Sequence, residues 1–160
     1  MSQNLKEKVL SSETRATGTG RRSATSAPAN PADLDERIIW ALHAAAEKKA
    51  INLTVLDLRG VATFTDFFII ATGANKRQMQ AIADEVVEQL KRRGTPAARV
   101  EGYQAAEWIL IDYGDFIVHV FDDKARRFYD LEYLWREAKR SDVSPETIES
   151  HILQSSLKEE

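Results

Sequence analysis

Residues 108–121 read WILIDYGDFIVHVF, two apolar, β-branched runs on either side of Tyr113-Gly114-Asp115. Side chains that alternate between faces, around a turn in which Gly114 is free to take positive φ, make this a β-hairpin. In its first strand Ile109 and Ile111 share one face, while Trp108, Leu110 and Asp112 share the other. A carboxylate belongs on a wet face, so the alternation sets a Trp and a Leu beside solvent. An apolar patch rimmed by charge is the character of a protein-binding surface. The alternative is that a second layer of the same domain covers Trp108 and leaves Asp112 at its margin.

Outward from the hairpin the pattern is orderly. Asp33 and Glu36 form a capping-box pair, and Leu34, Ile38, Ala41, Leu42 and Ala45 recur at helical spacing, which predicts a helix from Asp33 to about Lys49. Leu53 to Leu58 reads as a strand, and FTDFFIIAT, Phe64 to Thr72, as a second whose nearly unbroken apolar run suits the centre of a sheet. Asn75 with Gln78 opens another helix, lined by Met79, Ile82, Ala83, Val86, Val87 and Leu90 and ended by Gly94. A short strand lies near Arg99 to Glu101, and Asp130 caps a last helix bearing Leu131, Leu134, Trp135 and Ala138. The expected fold is α/β: a single domain with a five-stranded mixed sheet and flanking helices. If the two larger helices share one sheet face, the other stays open for a partner or a second copy.

Composition sets the boundaries. Residues 11–32 are dominated by Ser, Thr, Ala, Gly, Pro and Arg, so residues 1–32 are expected to form a disordered tail, 33–140 the α/β domain and 141–160 an acidic extension opened by Ser144-Pro145-Glu146 as a short helix. Net charge is −3 but segregated, with five basic side chains against two acidic ones in residues 1–30 and one against five in the last twenty. The middle therefore has no strong bulk attraction to polyanions. Arg15, Arg21 and Arg22 among hydroxyl residues suggest an organellar transit peptide, against which Glu7 and Glu13 argue. No run of some 18 apolar residues is present to span a bilayer.

Catalytic patterns are lacking. The chain has no Cys and three His, too few soft ligands for a structural zinc site, and points to a reducing cytoplasm. Ala71-Thr72-Gly73-Ala74-Asn75 offers one glycine where a phosphate-cradling loop needs several. Serines cluster in the terminal segments, away from any positioned base. Asp112 with Asp115, and Asp122 with Asp123, are paired acids at turns, a weak sign of Mg²⁺ because turns favour acids for backbone reasons. His119, mid-strand, is expected in a core or interface with one hydrogen-bond partner. No catalytic residue, metal or cofactor is expected.

Four segments together, TDFFIIATG (65–73), Glu101-Gly102, WILIDYGDFIVHVF and RRFYDLEYLW (126–135), closely resemble the ribosomal silencing factor family, also called RsfS or Iojap-like. The resemblance covers about residues 34–140 and implies a nucleotidyltransferase-like sheet without transferase activity. It further implies that the chain binds the large ribosomal subunit through that subunit's interface protein number fourteen, sterically blocks small-subunit joining and represses translation under nutrient limitation. Neighbouring ribosomal RNA and a second copy of the chain are further expected partners, and no membrane is. The partner-binding residues it implies are Trp108, Asp112 and Asp115, with Leu110 and Tyr113 as neighbours, while Asp66, Glu101 and His119 match family positions that polar satisfaction within the sheet explains as well. Organellar relatives imply the alternative of an assembly role. A nucleotidyltransferase-like enzyme is the remaining one, but the Gly-Ser turn and D-x-D or E-x-D pair of that chemistry do not occur here.

Overall fold

In the computed structural model, which describes residues 5–11 and 35–158, the hairpin lies inside a larger sheet. The elements in chain order are α1 (Leu5–Leu10), α2 (Glu36–Glu47), β1 (Ile51–Asp57), β2 (Phe67–Gly73), α3 (Lys76–Arg92), β3 (Arg99–Glu101), β4 (Trp108–Asp112), β5 (Phe116–Asp122), α4 (Asp123–Tyr129), α5 (Leu131–Leu134), β6 (Lys139–Asp142) and α6 (Pro145–Lys158). The strand order is β3-β4-β5-β2-β1-β6, with β2 and β5 parallel at the centre and every other neighbour antiparallel.

The turn residues act as their chemistry dictates. Gly114 takes φ +82°, its N–H donates to Asp112 Oδ1 at 2.8 Å, and the Tyr113 N–H donates to the Phe116 carbonyl at 3.0 Å. The Thr65 hydroxyl donates to the Gly114 carbonyl and the Asp66 N–H to the Asp115 carbonyl, both at 2.9 Å. The hairpin tip is thereby tied to the start of the central strand β2.

Alternation divides the core into two layers. Ile38, Leu42, Met79, Ile82, Val86 and Leu90, from α2 and α3, cover one face through Val55, Ile69, Ile109, Ile111, Val118 and Val120. The other face presents Leu56, Phe68, Ile70, Trp108, Leu110, Ile117 and Phe121 to Leu5 and Val9 of α1, Ala125 of α4, Leu131 of α5 and Trp135. So the two large helices do share a face, but the opposite one is covered as well.

Four expectations change. The sheet has six strands, not five: β6 pairs antiparallel with β1, Thr54 opposite Asp142. Its sequence Lys-Arg-Ser-Asp has no apolar alternation because it is an edge strand whose backbone is recruited by β1 rather than its side chains by a core. The helix expected from Asp130 through Ala138 stops at Leu134, and Asp130 itself, at φ +47°, ends α4 and caps α5. Residues 141–160 are not a mere extension, since they complete β6, bury Val143 and Ile148 and pack α6 against α2. Finally, the tail is not wholly unstructured: Leu5 and Val9, one turn apart, hold α1 on an apolar face already built by the sheet. Residues 12–34, including Asp33 and most of the expected tail, lie outside the described residues. The N-cap of α2 is Asp35, whose carboxylate accepts from the Arg37 N–H at 2.8 Å. No helix among the described residues is long and apolar enough to cross a membrane.

Candidate functional site

The alternation correctly groups Trp108 with Leu110 but not with solvent. Trp108 is 3% exposed and Leu110 fully buried, so the covered alternative is the one realised, with Asp112 half-buried at the margin. The reason is long-range. The Trp108 ring stacks on its cross-strand neighbour Phe121 (centroids 5.2 Å, 30°), but it also tilts against Tyr129 (4.7 Å) and lies under α1, which come from outside the hairpin. Asp112 pairs with Arg99 at 3.7 Å. Tyr113 turns to the opposite core layer, stacked on Phe116 (4.8 Å, 16°). Burial pushes its phenol above the ordinary tyrosine range. Asp115 stands exposed at the tip, bridged by Arg37 at 3.0 Å. The five expected residues thus do not form one surface: Trp108 and Leu110 lie beneath α1, Tyr113 lies on the other layer, and Asp112 and Asp115 occupy the rim.

What lies on Trp108 is specific. Lys6 Nζ stands 4.8 Å from the indole centroid and donates to the Trp108 carbonyl at 2.7 Å. The Leu5 N–H donates to Glu101 at 3.2 Å, and the Trp135 indole N–H donates to the Val9 carbonyl at 2.9 Å. Gly102, at φ +80°, makes the approach feasible, because a Cβ there would collide with the Trp108 carbonyl oxygen and Lys6 Nζ. Burial lowers the Lys6 pKa, while Glu101 and Glu107 pull it back up.

Beneath that contact sits His119, fully buried. Its Nδ1 accepts from Trp108 Nε1 at 3.0 Å, the one partner expected of it, and its Nε2 has none among the described residues. The ring meets Phe68 edge-on at 4.4 Å. Desolvation, with a smaller contribution from Lys6, depresses its pKa to about 3. A folded-state pKa below the unfolded value means that the unfolded chain takes up a proton the folded one refuses. The stability this neutral ring contributes is therefore present above about pH 6.5 and is lost as pH falls from there towards 3, at about 1.4 kcal/mol per pH unit. Urea unfolding of the wild type and His119→Gln at pH 7, 6 and 5 should show the steeper loss in the wild type. Parallel pH dependences would mean that His119 titrates freely.

One exposed aromatic, Phe128, extends the site beyond the expected residues, and a second, Tyr133, stands exposed on α5. Phe128 is 77% exposed and meets Tyr129 edge-on at 4.9 Å, and Tyr133 is 63% exposed. With Glu107, Asp122, Lys124 and Arg127, Phe128 and Tyr129 line a concavity of about 690 Å³. The available signal was the position of Phe128 one turn after Lys124 and beside Arg127, on the charged side of α4.

On the same sheet face Arg126 organises a second cluster that the sequence did not reveal. Its guanidinium donates to Glu132 at 2.6 Å, to the Asn52 carbonyl at 2.6 Å, to Thr72 at 2.9 Å and to Thr54 at 3.0 Å. Thr54 in turn donates to Asp142 at 2.9 Å, so the cluster ties α4, β1, β2, α5 and β6 together. With its donors committed to protein oxygens, Arg126 is built to hold the fold rather than an anion. No group of three or more His, Cys, Asp or Glu among the described residues could hold a metal ion.

Comparison with known proteins completes the description. A family model described as "Ribosomal silencing factor during starvation" matches residues 31–159. The chain is 42% identical to the ribosomal silencing factor RsfS of Halalkalibacterium halodurans over 103 residues, 64% of this chain and 88% of that protein. It is similar to a crystal structure of a protein from Chromobacterium violaceum, with a TM-score of 0.62 at 34% identity, over 68% of this chain and 91% of that one. It is also 29% identical over 92 residues to "Mitochondrial assembly of ribosomal large subunit protein 1" of Mus musculus, which covers 56% of this chain and 40% of that protein.

Proposed function

The chain belongs to the ribosomal silencing factor family, and from that membership we propose that it binds the large ribosomal subunit through its interface protein number fourteen, sterically blocks small-subunit joining and represses translation when nutrients are short. The observation that carries this reading is the family match across residues 31–159, which spans the sheet and all the helices packed on it except α1. The geometry is compatible in kind. Glu107 and Asp122 rim the end of the sheet where Phe128 and Tyr129 are presented, while Asp112 and Asp115 lie at the opposite, hairpin-tip end, and a basic ribosomal protein complements acids set beside an aromatic anchor. The action is cytoplasmic, needs no cofactor and is not catalytic.

Occupancy of a surface has a distinct signature. Added to separated subunits without nucleotide, the protein is expected to inhibit joining stoichiometrically, and more strongly when it meets the large subunit before the small one does. Sucrose-gradient profiles read this directly. Undiminished joining at saturating protein, with large-subunit binding confirmed, would remove the silencing mechanism. That outcome would favour a role in assembly of the large subunit, the activity in the mouse relative's name. Tight Mg²⁺-ATP binding by calorimetry would instead revive a nucleotidyltransferase-like enzyme.

A further inference from the structure

Building on the reading that this chain docks on the large subunit, we propose that the groove beneath α1 is part of the docking surface and that α1 is its resident occupant, displaced when a basic ribosomal protein takes its place. The family match begins at residue 31, so α1 lies outside the domain shared with relatives, yet it sits on the apolar face which that domain builds. Its hold is small: of its six residues, Leu5 and Val9 are the buried ones. The contacts by which it covers Trp108 and Trp135 can be supplied by another chain. Lys6 provides an ammonium over the Trp108 ring and on its carbonyl, Leu5 and Val9 provide aliphatic side chains one turn apart, and the Val9 carbonyl satisfies the Trp135 indole N–H. Glu101 and Glu107 bias the groove towards a cation whichever chain brings it. Glu107 also borders the concavity of Phe128 and Tyr129, and Tyr129 touches Trp108, so the surface continues beyond what α1 covers. A larger partner entering the groove can reach the lining of that concavity as well.

A resident occupant lowers apparent affinity by the fraction of molecules in which the groove is open. In the full chain, Lys6→Glu, which sets a carboxylate against Glu101 and Glu107, and Val9→Asp, which would bury one, each dislodge α1. Both variants should retain a cooperative thermal transition and bind purified bacterial large ribosomal subunits about tenfold more tightly than the wild type in a pelleting assay. A synthetic peptide of residues 1–11 should reverse the gain. Independently of any variant, the α1 backbone amides of the wild-type chain should lose hydrogen-exchange protection on binding large subunits. Equal affinity of folded variants and wild type, or α1 protection retained in the complex, would overturn the occupant role while leaving ribosome docking intact. Weaker binding by folded variants would make α1 itself a ribosome contact and overturn it too. Failure of all forms to bind would remove the docking reading, and this inference with it.

Discussion

Trp108→Ala is expected to cost the domain about 3–5 kcal/mol of stability, the range for truncating a large aromatic in a packed core. Three losses combine. The ring leaves its stack on Phe121 and Tyr129, the Lys6 ammonium loses the indole face, and His119 Nδ1 loses its donor while Nε2, which carries the proton, is already without an acceptor among the described residues. Urea unfolding should show a lowered midpoint at an unchanged slope. A loss below about 1 kcal/mol would show that the pocket collapses freely or that Trp108 spends much of its time outside it. This size of effect matters for any binding experiment. A domain of ordinary stability has about 5–15 kcal/mol in total, so weakened ribosome binding by Trp108→Ala would report unfolding as readily as a lost contact. Phe128→Ala, at an exposed position, is the cleaner probe of the surface.

The second large effect is expected at Arg126. Its side chain is 11% exposed and that of Glu132 is 13%, so Arg126→Ala strands a nearly buried carboxylate and leaves Thr72, Thr54 and the Asn52 carbonyl short of a donor. Breaking a buried pair from one side costs about 3–5 kcal/mol, whereas replacing both partners by apolar groups of similar volume is often neutral. Arg126→Met alone should therefore be severely destabilised, and Arg126→Met with Glu132→Leu should recover most of the loss. The cycle is read from chemical denaturation of the four proteins. Additive losses would mean that Arg126 stabilises through its contacts with β1 and β2 rather than through the ion pair.

How much of this was legible in the sequence depends on the range over which each feature is determined. The hairpin, α3 with its Asn75 cap and the central strand β2 are set by local periodicity and turn chemistry, and the structure places them within a few residues of expectation. Which side chains share a face is also local, so Trp108 and Leu110 were grouped correctly. What covers a face is not local: Val9, Tyr129 and Trp135 reach that layer from other parts of the chain, and strand alternation says nothing of them. The edge strand Lys139–Asp142 and the short helix Leu5–Leu10 were missed because each depends on a surface that the rest of the domain must first supply. Arg126 was hidden for a similar reason. In DKARR it is one cation among several in a segment to which the sequence assigns no element, and only the crossing of β1, β2 and α5 turns it inward.

The parallel pairing of β2 with β5 bears on how fast this chain can reach its native state. A parallel pair cannot be closed by a tight turn, and here Phe67 meets Phe116 only after α3, β3 and β4 have been traversed. The β4–β5 hairpin, by contrast, closes over Gly114 and is the kind of element that forms in microseconds. The hairpin is thus expected early as a template, and the slow step expected from the topology is the search of β2 for its edge, at a loop-closure cost that local helix formation in α3 partly reduces by shortening the span. The ties from Thr65 and Asp66 to the hairpin tip sit at the point where that search ends. Once β2 is in register, β1 has an edge to pair with, and β6 can join only after β1 is seated.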